Sequence, residues 1–149
     1  GPRVELSGQP QAFRRGRFGG RDPSRELIVN EVVMRAIVTG QVGMDKKSYL
    51  QGVVDFAGQQ GETVKLFNIG DMMYSEGRDI RPGRILDLPW SRLNSLRRAA
   101  MKDIISEAPN HDHVMVNTHA TFRWRHGLFP AFDLDQIQRF DPDLLICLV

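Results

Sequence analysis

The sequence has little cysteine and no long apolar run, and each absence excludes a class of protein. Cys147 is the one cysteine among 149 residues, so an internal disulfide is excluded. A lone thiol is typical of a reducing compartment, and we expect a cytoplasmic protein. No apolar stretch approaches the roughly 20 residues that cross a membrane, and no secretory signal peptide is evident. Neither a membrane protein nor a disulfide-rich secreted domain is therefore expected.

The charge is small overall but unevenly distributed. Twenty Lys and Arg against 18 Asp and Glu give a net charge of +2. Residues 1–25 hold six arginines and two acidic residues, a charge of +4, so residues 26–149 carry +2 minus +4, or −2. The run 13–21 resembles the Arg-Gly segments that bind RNA. We expect a flexible basic arm over 1–25, either a solvated linker or a nucleic-acid contact, and a folded domain over 26–149.

A glycine turn between an apolar strand and a helix is the strongest local signal. Residues 34–39 form an apolar run typical of a strand buried on both faces. Gly40 and Gly43 follow it, and a helical pattern begins near Lys46. This order predicts a phosphate-binding loop, because backbone N–H groups and the helix dipole attract phosphate there. Lys46 holds the position from which a lysine reaches the outer phosphates, and Ser48 offers a hydroxyl nearby.

The loop departs at two positions from the usual pattern of Gly, four residues, Gly, Lys and then Ser or Thr. Asp45 replaces the second glycine and brings a negative charge toward a phosphate. Lys47 stands where a hydroxyl normally contacts magnesium, and an ammonium cannot bind a metal ion. An ordinary strand–turn–helix connection is therefore the alternative interpretation of this segment.

The remaining chain alternates between strand and helix patterns. Apolar runs predict strands over 64–67, 114–116 and 144–149, and apolar spacings of three and four predict helices over 46–60, 72–76, 91–108 and 133–140. We expect Leu134 and Ile137 to face the core. Segment 77–90 is predicted to be a loop or short helix over a site, and 121–127 a basic, aromatic loop. The alternation predicts an α/β fold with a doubly wound parallel sheet.

Four segments, taken in order, carry a resemblance to a known family. They are the loop at 38–46, the strand 64–71 with its Asn-x-Gly end, Arg84 to Leu86 ahead of the long helix, and 117–121 with the Gly-x-x-Pro segment at 127–130. Through them the chain from 34 to 149 resembles the archaeal-type adenylate kinases, a branch of the P-loop nucleoside monophosphate kinases. The resemblance implies a sheet of the P-loop kinase type that transfers phosphate from ATP to a nucleoside monophosphate, with Mg²⁺.

The resemblance also implies roles for individual residues. The residues expected at the donor phosphates are Gly40, Gly43, Lys46 and Ser48. Those expected at the acceptor nucleotide are Asn68, Gly70, Thr118 and His119, although His119 could instead be a hydrogen-bonded histidine at a strand end. The catalytic candidates are Lys46, Arg84 toward the acceptor phosphate, and Arg123, because guanidinium groups suit phosphate oxygens. No residue is assigned to a metal ion.

Two further features separate the chain from active members of that family. Asn117 stands where the family has an acidic residue at the end of the third strand, and the family's lid and last strand have no counterpart. An uncovered apolar strand at 144–149 would be an aggregation hazard, so we expect a partner chain or a further C-terminal segment to complete the sheet. Three functions stay open: a nucleoside monophosphate kinase-like enzyme, a degenerate kinase-like sensor or assembly module, and a nucleic-acid-associated protein that binds through the arm.

Overall fold

The computed structural model describes residues 33–41 and 43–149. The basic arm predicted for 1–25 lies outside the described residues and stays a prediction. The strands of the described chain are β1 (Met34–Gly40), β2 (Val64–Asn68), β3 (His113–Asn117), β4 (Thr121–Trp124), β5 (Gly127–Pro130) and β6 (Leu144–Leu148). Its α-helices are α1 (Lys46–Gln59), α2 (Ile69–Glu76), α3 (Trp90–Glu107) and α4 (Leu134–Phe140), with 3₁₀ helices at Ile85–Asp87 and Ala108–Asn110.

Four of these strands form one parallel sheet in the order β2-β3-β1-β6. β1 pairs with β3 on one side and with β6 on the other, so that Val38 lies opposite both Asn117 and Ile146. The chain fills the sheet on one side of β1 and then crosses to its other side. Ligands of open α/β sheets bind at the carboxyl ends of the strands beside such a reversal. The doubly wound parallel sheet expected from the sequence is confirmed.

Helices cover both faces of this sheet. On one face, α1 packs Leu50 and Val53 against Val38 and Met115. On the other face, α2, α3 and α4 enclose a larger core around the strand residues Ile37, Val114 and Val116. The predicted apolar stripe of α3 reaches this core, and its best buried members are Leu93, Ala100 and Ile104. Burial of these two faces fixes where each strand ends, and hence where the site lies.

Two sequence-based expectations are wrong. Residues 121–127 do not form a loop, because β4 and β5 make an antiparallel hairpin in which Thr121 lies opposite Pro130. Gly127, with φ of 144°, allows the tight turn before β5. Leu134 does not face the core and is 74% exposed. The buried residues of α4 are instead Gln136 and Phe140, and Nε2 of Gln136 donates to the carbonyl of Arg98 at 2.9 Å.

The segments that frame the sheet's carboxyl edge differ slightly from prediction. α2 begins at Ile69, three residues before the predicted start, and Asp71 in its first turn favours that N-terminus. The 3₁₀ helix at Ile85–Asp87 lies within the predicted loop at 77–90. None of the described helices is long and apolar enough to cross a membrane.

Candidate functional site

A cleft of about 420 Å³ opens at the carboxyl ends of β2 and β3, beside the start of α1. The first turns of α2 and α3 and the 3₁₀ helix at Ile85–Asp87 complete its walls, and its volume is typical of a small-molecule site. Its charged lining residues are Lys46, Lys47, Arg97, Arg123, Asp45 and Asp71. Four cations against two carboxylates favour an anionic ligand.

Lys46, the first residue of α1, is only 3% exposed although it lines the cleft. Its Nζ lies 3.2 Å from Nδ1 of His119. Because an ammonium can only donate, Nδ1 must be the unprotonated nitrogen of the ring. Burial lowers the pKa of Lys46, and desolvation followed by the Lys46 charge lowers the pKa of His119. The amine expected to reach phosphates is thus held by a residue predicted at the acceptor nucleotide.

The two glycines of the loop have separate structural roles. A Cβ at Gly40 would lie 2.8 Å from Cδ of Lys46 and 3.0 Å from the carbonyl oxygen of Leu148. Gly40 therefore makes room for the lysine side chain against β6. Gly43 has φ of +90°, a conformation that L side chains rarely adopt. Both glycines shape the loop, while neither is among the residues that line the cleft.

Charged groups at the start of α1 are satisfied within the protein. Oδ1 of Asp45 accepts from the backbone N of Ser48 at 3.2 Å, and hydrogen bonds from Ser48 lower the pKa of Asp45. This cap favours the helix, but it occupies an N–H group of the kind that phosphate-binding loops present to their ligands. Lys47 pairs with Asp71 of α2, with 2.6 Å between Nζ and Oδ2. An anion would compete with both contacts.

The ends of β2 and β3 are joined by a pair of amides at the edge of the cleft. Nδ2 of Asn117 donates to Oδ1 of Asn68 at 2.9 Å. The backbone N of Thr118 donates to the carbonyl of Val38 at 3.0 Å and continues the β1–β3 pairing past the strand end. These bonds hold Asn68 and Thr118 beside the start of α1. Because both side chains are amides, this strand-end pair is uncharged.

The structure brings together six of the predicted site residues. Those that line the cleft are Lys46, Asn68, Gly70, Thr118, His119 and Arg123. Ser48 belongs to the first turn of α1 without lining the cleft. Arg84 lies outside the lining, and its Nε pairs with Asp87 at 2.6 Å on the surface. The roles assigned to all these residues remain predictions.

A protein-bound magnesium ion is not supported by the side chains that surround the cleft. Magnesium takes oxygen ligands, usually from one or two carboxylates together with substrate phosphates. Within residues 33–41 and 43–149, no three His, Cys, Asp or Glu side chains form a cluster that would hold a metal ion. Asp71 is engaged by Lys47, and Asn117 by Asn68. The side chains of the cleft therefore do not form a magnesium site without phosphate oxygens from a ligand.

Comparison with known protein families identifies the family of this domain. A family model described as an AAA domain matches residues 39–149, which is 111 of the 149 residues. The chain belongs to this AAA domain family. The match supports a nucleotide-binding P-loop domain of the kinase type. No curated protein matches the chain.

Three residues of α3 that sequence reasoning missed also line the cleft of this AAA domain. They are Trp90, Asn94 and Arg97, spaced four and three apart and hence on one face of the helix. The spacing is visible in the sequence. It carries little information alone, because polar residues beside an apolar stripe usually mark the solvated boundary of a helix.

Proposed function

We propose that this AAA domain is an adenylate kinase-like protein that binds ATP and transfers a phosphoryl group to a nucleoside monophosphate. The observation that carries the proposal is the position of Lys46. It is the first residue of the helix after β1, and it lines a positively charged cleft at the carboxyl edge of the sheet. The match to a kinase-type P-loop domain supports nucleotide binding, and the sequence resemblance supports the adenylate kinase branch.

Phosphoryl transfer asks the protein mainly to position phosphates and to neutralise their charge. Lys46 would exchange Nδ1 of His119 for phosphate oxygens when ATP binds. Arg123 is exposed, lines the cleft and pairs with no carboxylate in the described part of the chain, so its guanidinium is available to the same phosphates. Asn68 and Thr118, held at the ends of β2 and β3, would contact the acceptor nucleotide.

A second function, nucleotide binding without transfer, is favoured by the charges at the start of α1. The Asp45 carboxylate lies at the helix N-terminus. Lys47 occupies the position at which the phosphate-loop pattern has a hydroxyl, and it is paired with Asp71. Both features oppose the close, metal-assisted approach of phosphates that transfer requires. Such a protein would act as a nucleotide sensor or as a module of an assembly.

Calorimetric titration of ATP into the full chain, with and without Mg²⁺, separates these functions. We expect binding that strengthens with Mg²⁺, which would enter the cleft on the ATP phosphates because the described side chains form no magnesium site of their own. We also expect formation of ADP when AMP is present. Binding without ADP formation would favour the sensor, and no heat up to millimolar ATP would overturn both proposals.

Lys46→Met is the matched variant for this titration. It should weaken ATP binding about 10- to 100-fold, the usual effect of losing a hydrogen bond from a charged group. Because burial of an ammonium opposes folding, Lys46→Met should unfold at the same temperature as the wild type or higher. Thermal unfolding of the variant therefore shows whether lost binding reflects lost structure, and unchanged ATP affinity would exclude Lys46 from the site.

A further inference from the structure

Arg97 is a cation of the cleft that has no carboxylate partner among the described residues. One of its Nη atoms donates to the carbonyl of Ala131, and the other donates to Oδ1 of Asn94 at 2.9 Å. Its Nε is buried and has no hydrogen-bond partner in the described structure. Burial, followed by the nearby Arg98 charge, lowers the pKa of Arg97, but a guanidinium stays protonated in proteins. The cleft thus contains a partly desolvated positive charge that only neutral oxygens compensate.

Four other arginines of the described chain differ from Arg97 in having an acid within reach. The pairs are Arg84 with Asp87, Arg92 with Asp79, Arg98 with Asp133 and Arg139 with Asp135. An uncompensated charge away from water is costly, and an anion that binds beside it gains more than one at an exposed, paired arginine. Arg123, the other arginine of the cleft, also has no carboxylate partner in the described chain, but it is exposed, so partial burial without such a partner marks Arg97 as an anion-binding group.

The cleft walls around Arg97 are apolar and partly aromatic. Leu93 and Trp90 lie on the same helix, and Ile69 and Met73 of α2 also line the cleft. The ring of Trp90 stacks on Phe129 with 4.7 Å between centroids and 27° between planes, which limits its rotation. Apolar walls with one cation and one amide suit a flat organic group that carries an anionic end.

We propose that Arg97, positioned by Asn94 and the carbonyl of Ala131, binds the phosphate of the acceptor nucleotide. This role replaces the one that the sequence resemblance implies for Arg84, which lies outside the cleft lining and is already paired. The inference rests on the proposed function, because it names the residue that recognises the acceptor. The guanidinium reaches the phosphate without having to leave a carboxylate.

The test compares AMP with adenosine in the full chain, using Arg97→Gln and the matched control Arg84→Gln. Arg97→Gln should weaken AMP binding about 10- to 100-fold, because a hydrogen bond to a charged group contributes that much affinity. Its affinity for adenosine, which lacks the phosphate, should be unchanged. Arg84→Gln should change neither affinity. Equal AMP affinity in the wild type and Arg97→Gln would overturn the inference, and so would a wild-type protein that does not bind AMP.

Arg97 also connects α3 to the segment before α4, so a structural effect needs its own control. Arg97→Lys keeps the charge while losing the planar fork. It should retain more AMP affinity than Arg97→Gln, and ATP affinity should be the same in both variants. Equal losses of AMP and ATP binding in both variants would mean that Arg97 only stabilises the contact between α3 and the segment before α4.

The AMP experiment and the ATP titration test different proposals. Absence of ATP binding by the wild type would overturn the proposed function, whereas AMP binding that is indifferent to Arg97 would overturn the present inference alone.

Discussion

At the α1 end of the cleft Lys47 is paired with a carboxylate and Lys46 with an imidazole, whereas at the α3 end Arg97 contacts only neutral oxygens. Lys46 contacts His119 and Lys47 pairs with Asp71, while Asp45 caps the helix. An anion that enters at α1 must therefore displace existing contacts. One that enters at α3 meets a guanidinium whose Nε has no hydrogen-bond partner among the described residues.

The difference shows that a sequence pattern for phosphate binding and an available positive charge need not coincide. The exposed Lys47–Asp71 pair is a weak barrier, since such pairs are worth about 0.2–1 kcal/mol. The partly buried contact between Lys46 and His119 is a stronger one, because Lys46 is buried and its amine has little water to replace its partner. Variants that loosen the α1 end should therefore change ATP binding and leave AMP binding at Arg97 unaffected.

Gly40→Ala should give the largest effect, because it removes the space that Lys46 occupies. The added Cβ would meet Cδ of Lys46 at 2.8 Å and the Leu148 carbonyl at 3.0 Å. We expect ATP binding to be lost and the free energy of unfolding to fall by about 1–3 kcal/mol, as for other overpacked sites. Urea unfolding and ATP titration measure the two effects.

Gly52→Ala is the matched control for this substitution. Gly52 lies within α1, and an added Cβ there meets nothing within 4 Å. Since alanine favours a helix over glycine, this variant should be more stable by about 1 kcal/mol and should bind ATP normally. If Gly40→Ala has the same stability and ATP affinity as Gly52→Ala, the loop accommodates the added Cβ. The position of Lys46 would then not depend on the glycine at residue 40.

Substitutions at Asp45 should give a smaller effect, in the opposite direction. Asp45→Asn keeps an N-cap but removes the charge, so ATP affinity should rise about fivefold at low salt, corresponding to about 1 kcal/mol for one nearby charge in water. Asp45→Gly with Lys47→Thr also frees the N–H of Ser48 and should raise affinity further. Titrations at low and high salt separate charge from geometry. Unchanged affinity in both variants would indicate that the loop no longer serves nucleotide binding.

The fold could be predicted because its signals are local and repeated. β1 contains the apolar run 36–38, and α3 carries an apolar face over several turns, so the sequence predicts both elements within a few residues of their observed ends. The β4–β5 hairpin was missed because strands of four residues show too little alternation to distinguish them from an aromatic loop.

The site was less predictable because its contacts join distant parts of the chain. Lys46 and His119 are 73 positions apart and meet only because β3 lies beside β1. The sequence does contain a local signal that distinguishes Arg84 from Arg97 as the arginine for the acceptor phosphate. Arg84 has Asp87 three residues later, whereas Arg97 has no acidic residue three or four positions away on either side. Pairing within one helix or turn could have been anticipated, but the Ala131 contact of Arg97 could not.

The smallest expected effect is a pH dependence of stability that comes from His119. Desolvation and the nearby Lys46 hold the pKa of His119 below its ordinary value of 6.5. Between that lower pKa and 6.5 the unfolded chain binds more protons, so stability should fall as the pH is lowered through this range and stay unaffected above it. Urea unfolding at several pH values measures this effect. The free energy of unfolding should fall less in acid for His119→Gln than for the wild type. It should also fall less for Lys46→Met, which removes the neighbouring charge. Equal acid losses in all three proteins would exclude this histidine as the source. Because a protonated Nδ1 cannot accept from Lys46, acid should release the amine at the α1 end while Arg97 at the other end keeps its partners.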